Sequence, residues 1–306
     1  MHPRHPDLQH LCRIAAFILA LPFIVVLWAL PVQAAPAMWV ARDDDSTVYL
    51  LGSMHVLKPG TDWMSDDIAR AFADSSKLVI ETDVRQMGMN LLMKFGMSLD
   101  NPLSKQLAAD ELSRVRAAAD NVDVRFGFID PMRPWLAAAT LGMAAVNKAG
   151  YSEAAGVEAR LLEMARRSGK PVSGLETPSD QLSIFADQGK AQEKRMLTAM
   201  LDVLDDPDDT AALADRLTEA WKAGRAENLS ELVDLTFTGV DADLLDRLLK
   251  QRNQRWASQI SRMMQGSGTI FIAVGAAHLV GPDSVQHFLA LKGIETERLQ
   301  HVPSNL

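Results

Sequence analysis

One short pattern occurs near both ends of this chain, and it constrains the fold more than any other feature. Near the start, an apolar run from Val48 leads into Gly52-Ser53-Met54-His55, a Pro59-Gly60 turn and an acidic helix start at Ser65. Near the end, an apolar run from Ile270 leads into Gly275-Ala276-Ala277-His278, a Gly281-Pro282 turn and another helix start. An apolar β-run entering a glycine turn is where α/β proteins present polar groups, at the carboxyl ends of their strands. Two histidines delivered by equivalent strand ends can converge on one site. Glycine three residues ahead of each permits a tight turn and a close backbone approach to a ligand.

The pattern between the copies predicts one α/β domain with a mixed central sheet, flanking helices and a large helical insertion. A hairpin is expected over 38–42 and 47–51, a helix over 66–75, and a short buried strand over 77–83. Helical periodicity runs through 87–97, 110–119, 134–148 and 157–168. Residues 172–177 read as another strand, and Pro178 opens a helix at its first turn. From 181 to 265 only helices are expected, so the insertion spans about 86–265. The last core strand is placed at 269–274, with His287 on the helix after it and an edge strand over 295–301. With 306 residues, 48% hydrophobic and 23% charged, the chain is long enough to bury its own core. The net charge of -8, with no basic patch interleaved with aromatics, argues against nucleic acid as a partner.

Residues 1–34 read as a signal peptide rather than as part of the fold. A mildly basic start through Arg13 precedes an apolar run from Ile14 to Leu30, and Val32-Gln33-Ala34 supplies a cleavage site. The competing reading is an uncleaved anchor, but the run falls short of the roughly 20 residues a span requires. The mature domain is then 35–306, exported to the bacterial periplasm, touching membrane only through an uncleaved leader. The single cysteine, Cys12, leaves with the leader, so disulfides, thiol catalysis and cysteine-ligated zinc are excluded.

Four histidines follow the leader: His55, His278, His287 and His301. The bland alternative for His55 and His278 is that each caps a helix or satisfies a buried turn. His287 and His301 read as structural or exposed. Glu81 and Glu176 each close an apolar β-run, where a carboxylate costs desolvation energy unless it meets a cation, a metal or a proton donor. Capping the next helix is the competing role for both. Two histidines with one or two carboxylates match a divalent metal with an open position, and equally a metal-free acid–base pair. Arg252 and Asn253 could face a cleft and hold a substrate carboxylate or oxyanion, although spacing alone places them on a solvated helix face. Methionines 87, 89, 93 and 97 either line an adaptable groove or pack on the core.

Taken in order, these segments resemble the TraB/PrgY/GumN family, which includes the TIKI proteases. The matching stretches are Leu51-Gly52-Ser53-Met54-His55, Val79-Ile80-Glu81-Thr82-Asp83, and Gly156-Val157-Glu158 opening a helix. Further on come Gly169 through Glu176-Thr177, Arg252-Asn253 with Trp256-Ala257, and Ala273 through Pro282. The resemblance implies a fold akin to the erythromycin esterases and the ChaN haem-binding proteins. The family pattern of two Gly-x-x-His motifs, a glutamate and an arginine falls on His55, His278, Glu81 and Arg252. Glu158 departs from the aspartate expected after Gly-x.

In the TIKI branch the resemblance implies a metallopeptidase using manganese or cobalt rather than zinc. His55, His278 and Glu81 would then hold the metal, with Glu176 as a further ligand or supporting partner and Arg252 at the oxyanion. Gly52, Gly275 and Asn253 would lie against a peptide or other small-molecule substrate. Two rivals stay open: a metal-independent esterase or amidase using a His/Glu pair, and a non-catalytic binder of haem, metal or peptide. On the metallopeptidase reading, replacing either histidine is expected to abolish activity while leaving the fold intact.

Overall fold

A computed structural model describes residues 35–236 and 240–299. The leader, Cys12 and His301 lie outside the described residues. The chain opens with β1 (Met38–Arg42) and β2 (Ser46–Ser53), a hairpin whose tight turn is closed by the Asp43 side chain accepting from the Ser46 N–H at 2.7 Å. Helix α1 (Asp66–Asp74) follows, capped by the Ser65 side chain, and leads into β3 (Lys77–Thr82). A helical stretch comes next: α2 (Met89–Gly96), α3 (Ala109–Asn121), α4 (Pro134–Lys148) and α5 (Val157–Ser168), with short turns at Leu103–Gln106 and Phe126–Ile129. Strand β4 (Val172–Glu176) interrupts the helices, which resume as α6 (Pro178–Ala186), α7 (Lys190–Leu204), α8 (Pro207–Lys222), α9 (Ala226–Thr236), α10 (Ala242–Leu248) and α11 (Lys250–Met263). Strand β5 (Gly268–Gly275), α12 (Val285–Ala290) and β6 (Glu297–Arg298) complete the chain.

The described strands form one mixed sheet in the order β4-β3-β5-β2-β1-β6. Strands β4, β3, β5 and β2 are parallel, so their carboxyl ends share one edge; β1 is antiparallel to β2, and β6 to β1. The two Gly-x-x-His strands are direct neighbours, with Gly52 opposite Val274 and Ser53 opposite Gly275. The edge strand expected over 295–301 is confined to Glu297–Arg298.

Strand alternation sorts the side chains into two layers. Leu51, Leu78, Ile80, Phe271 and Ala273 pack with α1, α5 and Trp221 of α8 on one face. Leu50, Val79, Ile270, Ile272 and Val274 pack with Trp256 and Ile260 of α11 and with α12 on the other. Burying both faces of parallel strands is why β5 reads as an unbroken apolar run. Helices α3, α4 and α7 have an apolar core of their own, built on Val115, Leu141, Leu197 and Leu201, so the insertion carries its own packing energy. The expectation of a mixed α/β architecture is met. Among the described residues no helix is long and apolar enough to cross a membrane.

Candidate active site

The carboxyl edge of the parallel strands gathers His55, Glu81, Glu176, Gly275 and His278, but it divides them between two environments. Alternation along β3 directs Glu81, like Val79, toward α11, and Thr82, like Ile80, toward α5. Behind the sheet edge lies a buried polar cluster; in front of it opens a cleft of about 650 Å3.

The cluster is organised by Arg252, which is 5% exposed, not on the solvated helix face expected from spacing. All five of its N–H donors have acceptors. Nε and Nη2 make a fork to Glu176 at 3.1 and 2.6 Å, Nη2 also donates to Glu81 at 2.5 Å, and Nη1 meets the Leu248 carbonyl and His278 Nε2, each at 3.1 Å. The guanidinium also lies 4.5 Å from the Trp256 ring centre, within cation–π range. Every donor of this arginine is thus engaged by protein groups, and Arg252 is not among the residues that line the cleft.

This arrangement fixes the state of His278. Arg252 can only donate, so His278 Nε2 must accept and is unprotonated. The proton then sits on Nδ1, which donates to Asn253 Oδ1 at 2.6 Å, while Asn253 Nδ2 donates to the Asp283 carbonyl at 2.7 Å. Burial is the main cause that lowers the His278 pKa, to about 3, with Arg252 adding to it. His278 is thus a neutral ring locked in a buried turn, tilted at 49° against Trp256 with centroids 4.4 Å apart. Asn253, 1% exposed, holds that ring and does not face the cleft.

Glu81 bridges the two environments. Burial alone would raise its pKa, but His278 when protonated, Arg252 and His55, with the Gly275 N–H at 2.6 Å, bring it to about 2. Glu176 is raised by burial and by the charge of Glu81, against the opposing pull of Arg252. It does not cap α6, a task taken by the Thr177 side chain. Glu176 lines a separate cavity of about 430 Å3 with Asp180, Arg247 and Arg255, not the His55 cleft.

In the cleft, His55 stands almost alone as a basic group. Its side chain is 60% exposed, and Nδ1 lies 2.9 Å from Glu158 Oε1, which also accepts from the Ser53 hydroxyl. Crowding by the cleft walls works against the charged ring, but the hydrogen bond and charge of Glu158, then the charge of Glu81, outweigh it and raise His55 to about 9. The first turn of α5 places Glu158 there. Val157 N–H donates to the Met54 carbonyl at 3.0 Å, and a Cβ at Gly156 would fall 2.1 Å from the His55 carbonyl. Gly156 is therefore the residue that lets α5 dock on the first Gly-x-x-His turn.

The two motif glycines differ in the opposite sense to their histidines. A Cβ on Gly275 would lie 2.9 Å from Glu81 Oε1, 3.5 Å from His55 Nε2 and 3.6 Å from His278 Cδ2, so Gly275 sits where the site groups converge. Gly52 instead packs on Ala276, and its carbonyl accepts from Trp221 Nε1 at 2.7 Å. Gly52 is not among the residues that line the cleft. Glu158 and Ser53 were the functional neighbours that residue reasoning missed. The usable signal was the acidic residue in the first turn of a helix opened by Gly156.

The metal set expected on His55, His278 and Glu81 does not fit this arrangement. His278 spends both ring nitrogens on Arg252 and Asn253, and Glu81 spends Oε2 on Arg252 and Oε1 on Gly275. Among the described residues no group of three or more His, Cys, Asp or Glu side chains is arranged to hold a metal ion.

A mixed α/β domain with two paired Gly-x-x-His strand ends, an Arg-bridged pair of glutamates and an open cleft defines the class. The chain belongs to the TraB/PrgY/gumN family, whose sequence profile matches residues 37–298. It is similar to the uncharacterized protein YbaP of Escherichia coli (strain K12), 21% identical over 257 residues, covering 83% of this chain and 92% of YbaP. It is also similar to an uncharacterized protein of Treponema pallidum (strain Nichols), 22% identical, with 88% of this chain and 86% of that one covered. No solved structure matches the chain at a significant level.

Proposed function

We propose that the chain is a hydrolase of esters or amides in which His55 is the general base and no metal takes part. One observation carries the reading: an exposed imidazole whose Nδ1 is held by Glu158 at 2.9 Å, leaving Nε2 free beside Glu81 and Gly275 in the cleft. A base whose far nitrogen is anchored by a carboxylate keeps one tautomer and one orientation. In the neutral ring, whose share grows as pH rises toward about 9, His55 Nε2 takes a proton from water as the water oxygen adds to the substrate carbonyl carbon. The imidazolium then returns that proton to the leaving oxygen or nitrogen as the scissile bond breaks, giving an acid and an alcohol or amine. Glu158 and Glu81 stabilise the cationic ring that forms between these steps. Arg252, Glu176, His278 and Asn253 hold Glu81 and the Gly275 turn in place.

The test is hydrolysis of a panel of p-nitrophenyl esters and p-nitroanilides by the wild type and by His55→Ala, with and without excess EDTA. Turnover that survives EDTA and falls about 10²–10⁴-fold in His55→Ala is the expected result. Turnover abolished by EDTA and restored by manganese or cobalt would replace this reading with the metallopeptidase one. A haem absorption band on titration, with no turnover of any substrate, would replace it with the binding protein. The apolar run from Ile14 to Leu30 supports export to the periplasm, testable by fractionating cells that express the full chain.

A further inference from the structure

Two polar atoms on the wall of the His55 cleft have no hydrogen-bond partner among the described residues: Thr82 Oγ1 and Glu158 Oε2. Thr82 is only 7% exposed, and both residues line the cleft. Leaving a buried polar atom unpaired costs about 1–3 kcal/mol, more for a charged group, so such pairs mark where a ligand completes the bonding. A carboxylate oxygen can only accept, so what meets Glu158 Oε2 must donate. The hydroxyl of Thr82 can accept as well.

The charge of the cleft points the same way. Its wall carries three carboxylates, Glu81, Glu153 and Glu158, against one basic side chain, His55. Arg252 does not line the cleft, and its charge is taken up by Glu81 and Glu176. The remaining lining is largely apolar, with Met87, Met143 and Leu162 among it. Glu81 and Glu158 are already paired with Arg252 and His55, so a carboxylate ligand gains no cation on this wall and still meets Glu153. An ammonium would find an acceptor with no partner among the described residues, and an apolar wall for its carbon chain.

We infer that the cleft selects amphipathic primary amines: the ammonium donates to Glu158 Oε2 and Thr82 Oγ1, and the carbon chain lies along Met87, Met143 and Leu162. This deepens the hydrolase reading, since it names the substrate class as amine-bearing acyl compounds. It is tested by binding alone, so loss of either claim leaves the other standing.

The experiment is ligand-observed NMR titration of the wild-type chain with hexylamine, hexanamide and hexanoate at matched ionic strength. The expected order is hexylamine tightest and hexanoate weakest, with at least a tenfold spread. Ala159→Trp, which fills the cleft, removes hexylamine binding. Thr82→Val weakens hexylamine several-fold, and Glu158→Gln erases the preference for amine over amide, in proteins whose circular dichroism matches wild type. Equal affinity for the three ligands, or a preference for hexanoate, overturns the inference without need of any variant. Hexylamine binding unchanged in Ala159→Trp, or unchanged in both Thr82→Val and Glu158→Gln, overturns it as well.

Discussion

Arg252 Nη1 lies 3.1 Å from His278 Nε2, and that contact decides what the second Gly-x-x-His motif does. A donor-only partner keeps the imidazole neutral, and the ring in return closes the donor set of the guanidinium. The two histidines therefore have different jobs despite their matching sequence contexts.

Their alanine variants should separate accordingly. His55→Ala removes an exposed side chain and the solvent-screened ion pair it makes with Glu158, so stability at neutral pH should fall by about 1 kcal/mol or less while hydrolysis is lost. His278→Ala strands an Arg252 N–H and Asn253 Oδ1 in a buried place, an effect of about 1–3 kcal/mol before any cavity term. Urea denaturation of both variants measures the difference. On this account the fold tolerates loss of His55 better than loss of His278.

Removing Arg252 should do more damage than removing any other group in the site. Arg252→Ala leaves Glu81 and Glu176 without their shared cation, and breaking a buried pair in this way costs about 3–5 kcal/mol. Arg252→Lys keeps the charge but loses the fork to Glu176, so it should rescue only part of that stability. Equal urea midpoints for Arg252→Lys and wild type would contradict the bridging role.

Much of this was legible in the sequence, and the rest failed for physical reasons. Strand ends at Glu81, Glu176 and both glycine turns were readable because a buried strand stays apolar until it reaches the sheet edge, where the first polar residue marks its end. Arg252 read as solvated because a helix pattern reports which face is apolar, not whether a charged residue finds buried carboxylates across the sheet. The bland reading of a histidine in a buried turn held for His278 and not for His55, a distinction set by partners distant in sequence. The methionines also divide: Met87 lines the cleft, Met97 packs on the helical core, and Met89 and Met93 are exposed. The Glu158–His55 pair depends on α5 docking through Gly156, a contact that no local pattern encodes.

The glycine pair gives a test that needs no turnover. Gly275→Ala places a methyl group 2.9 Å from Glu81 Oε1 and should cost about 1–3 kcal/mol and disturb the site. Gly52→Ala presses 3.2 Å on the Ala276 backbone, so it should destabilise while sparing the cleft. Binding of hexylamine to both folded variants distinguishes them, with loss expected only for Gly275→Ala.

Stability should fall at both ends of the pH scale. His55 is raised in the folded state, so its contribution is full below its unfolded value of 6.5 and is lost as pH rises through about 9. His278 is lowered, so below 6.5 the unfolded chain binds a proton that the folded chain refuses, and stability drops as pH falls toward about 3. Glu81, also lowered, adds to the acid loss below 4.5. Thermal midpoints from pH 4 to 10 check both limbs, and Glu158→Gln should flatten the alkaline one.

The most direct measurement is an NMR pH titration of the chain with ¹⁵N-labelled histidine, assigned with His55→Ala and His278→Asn. The account predicts that His55 titrates near 9, and that His278 stays neutral with its proton on Nδ1 from alkaline pH down into the acid range. A His278 that titrates near 6.5, or carries its proton on Nε2, would contradict the Arg252 lock and reopen that ring to catalysis or metal binding.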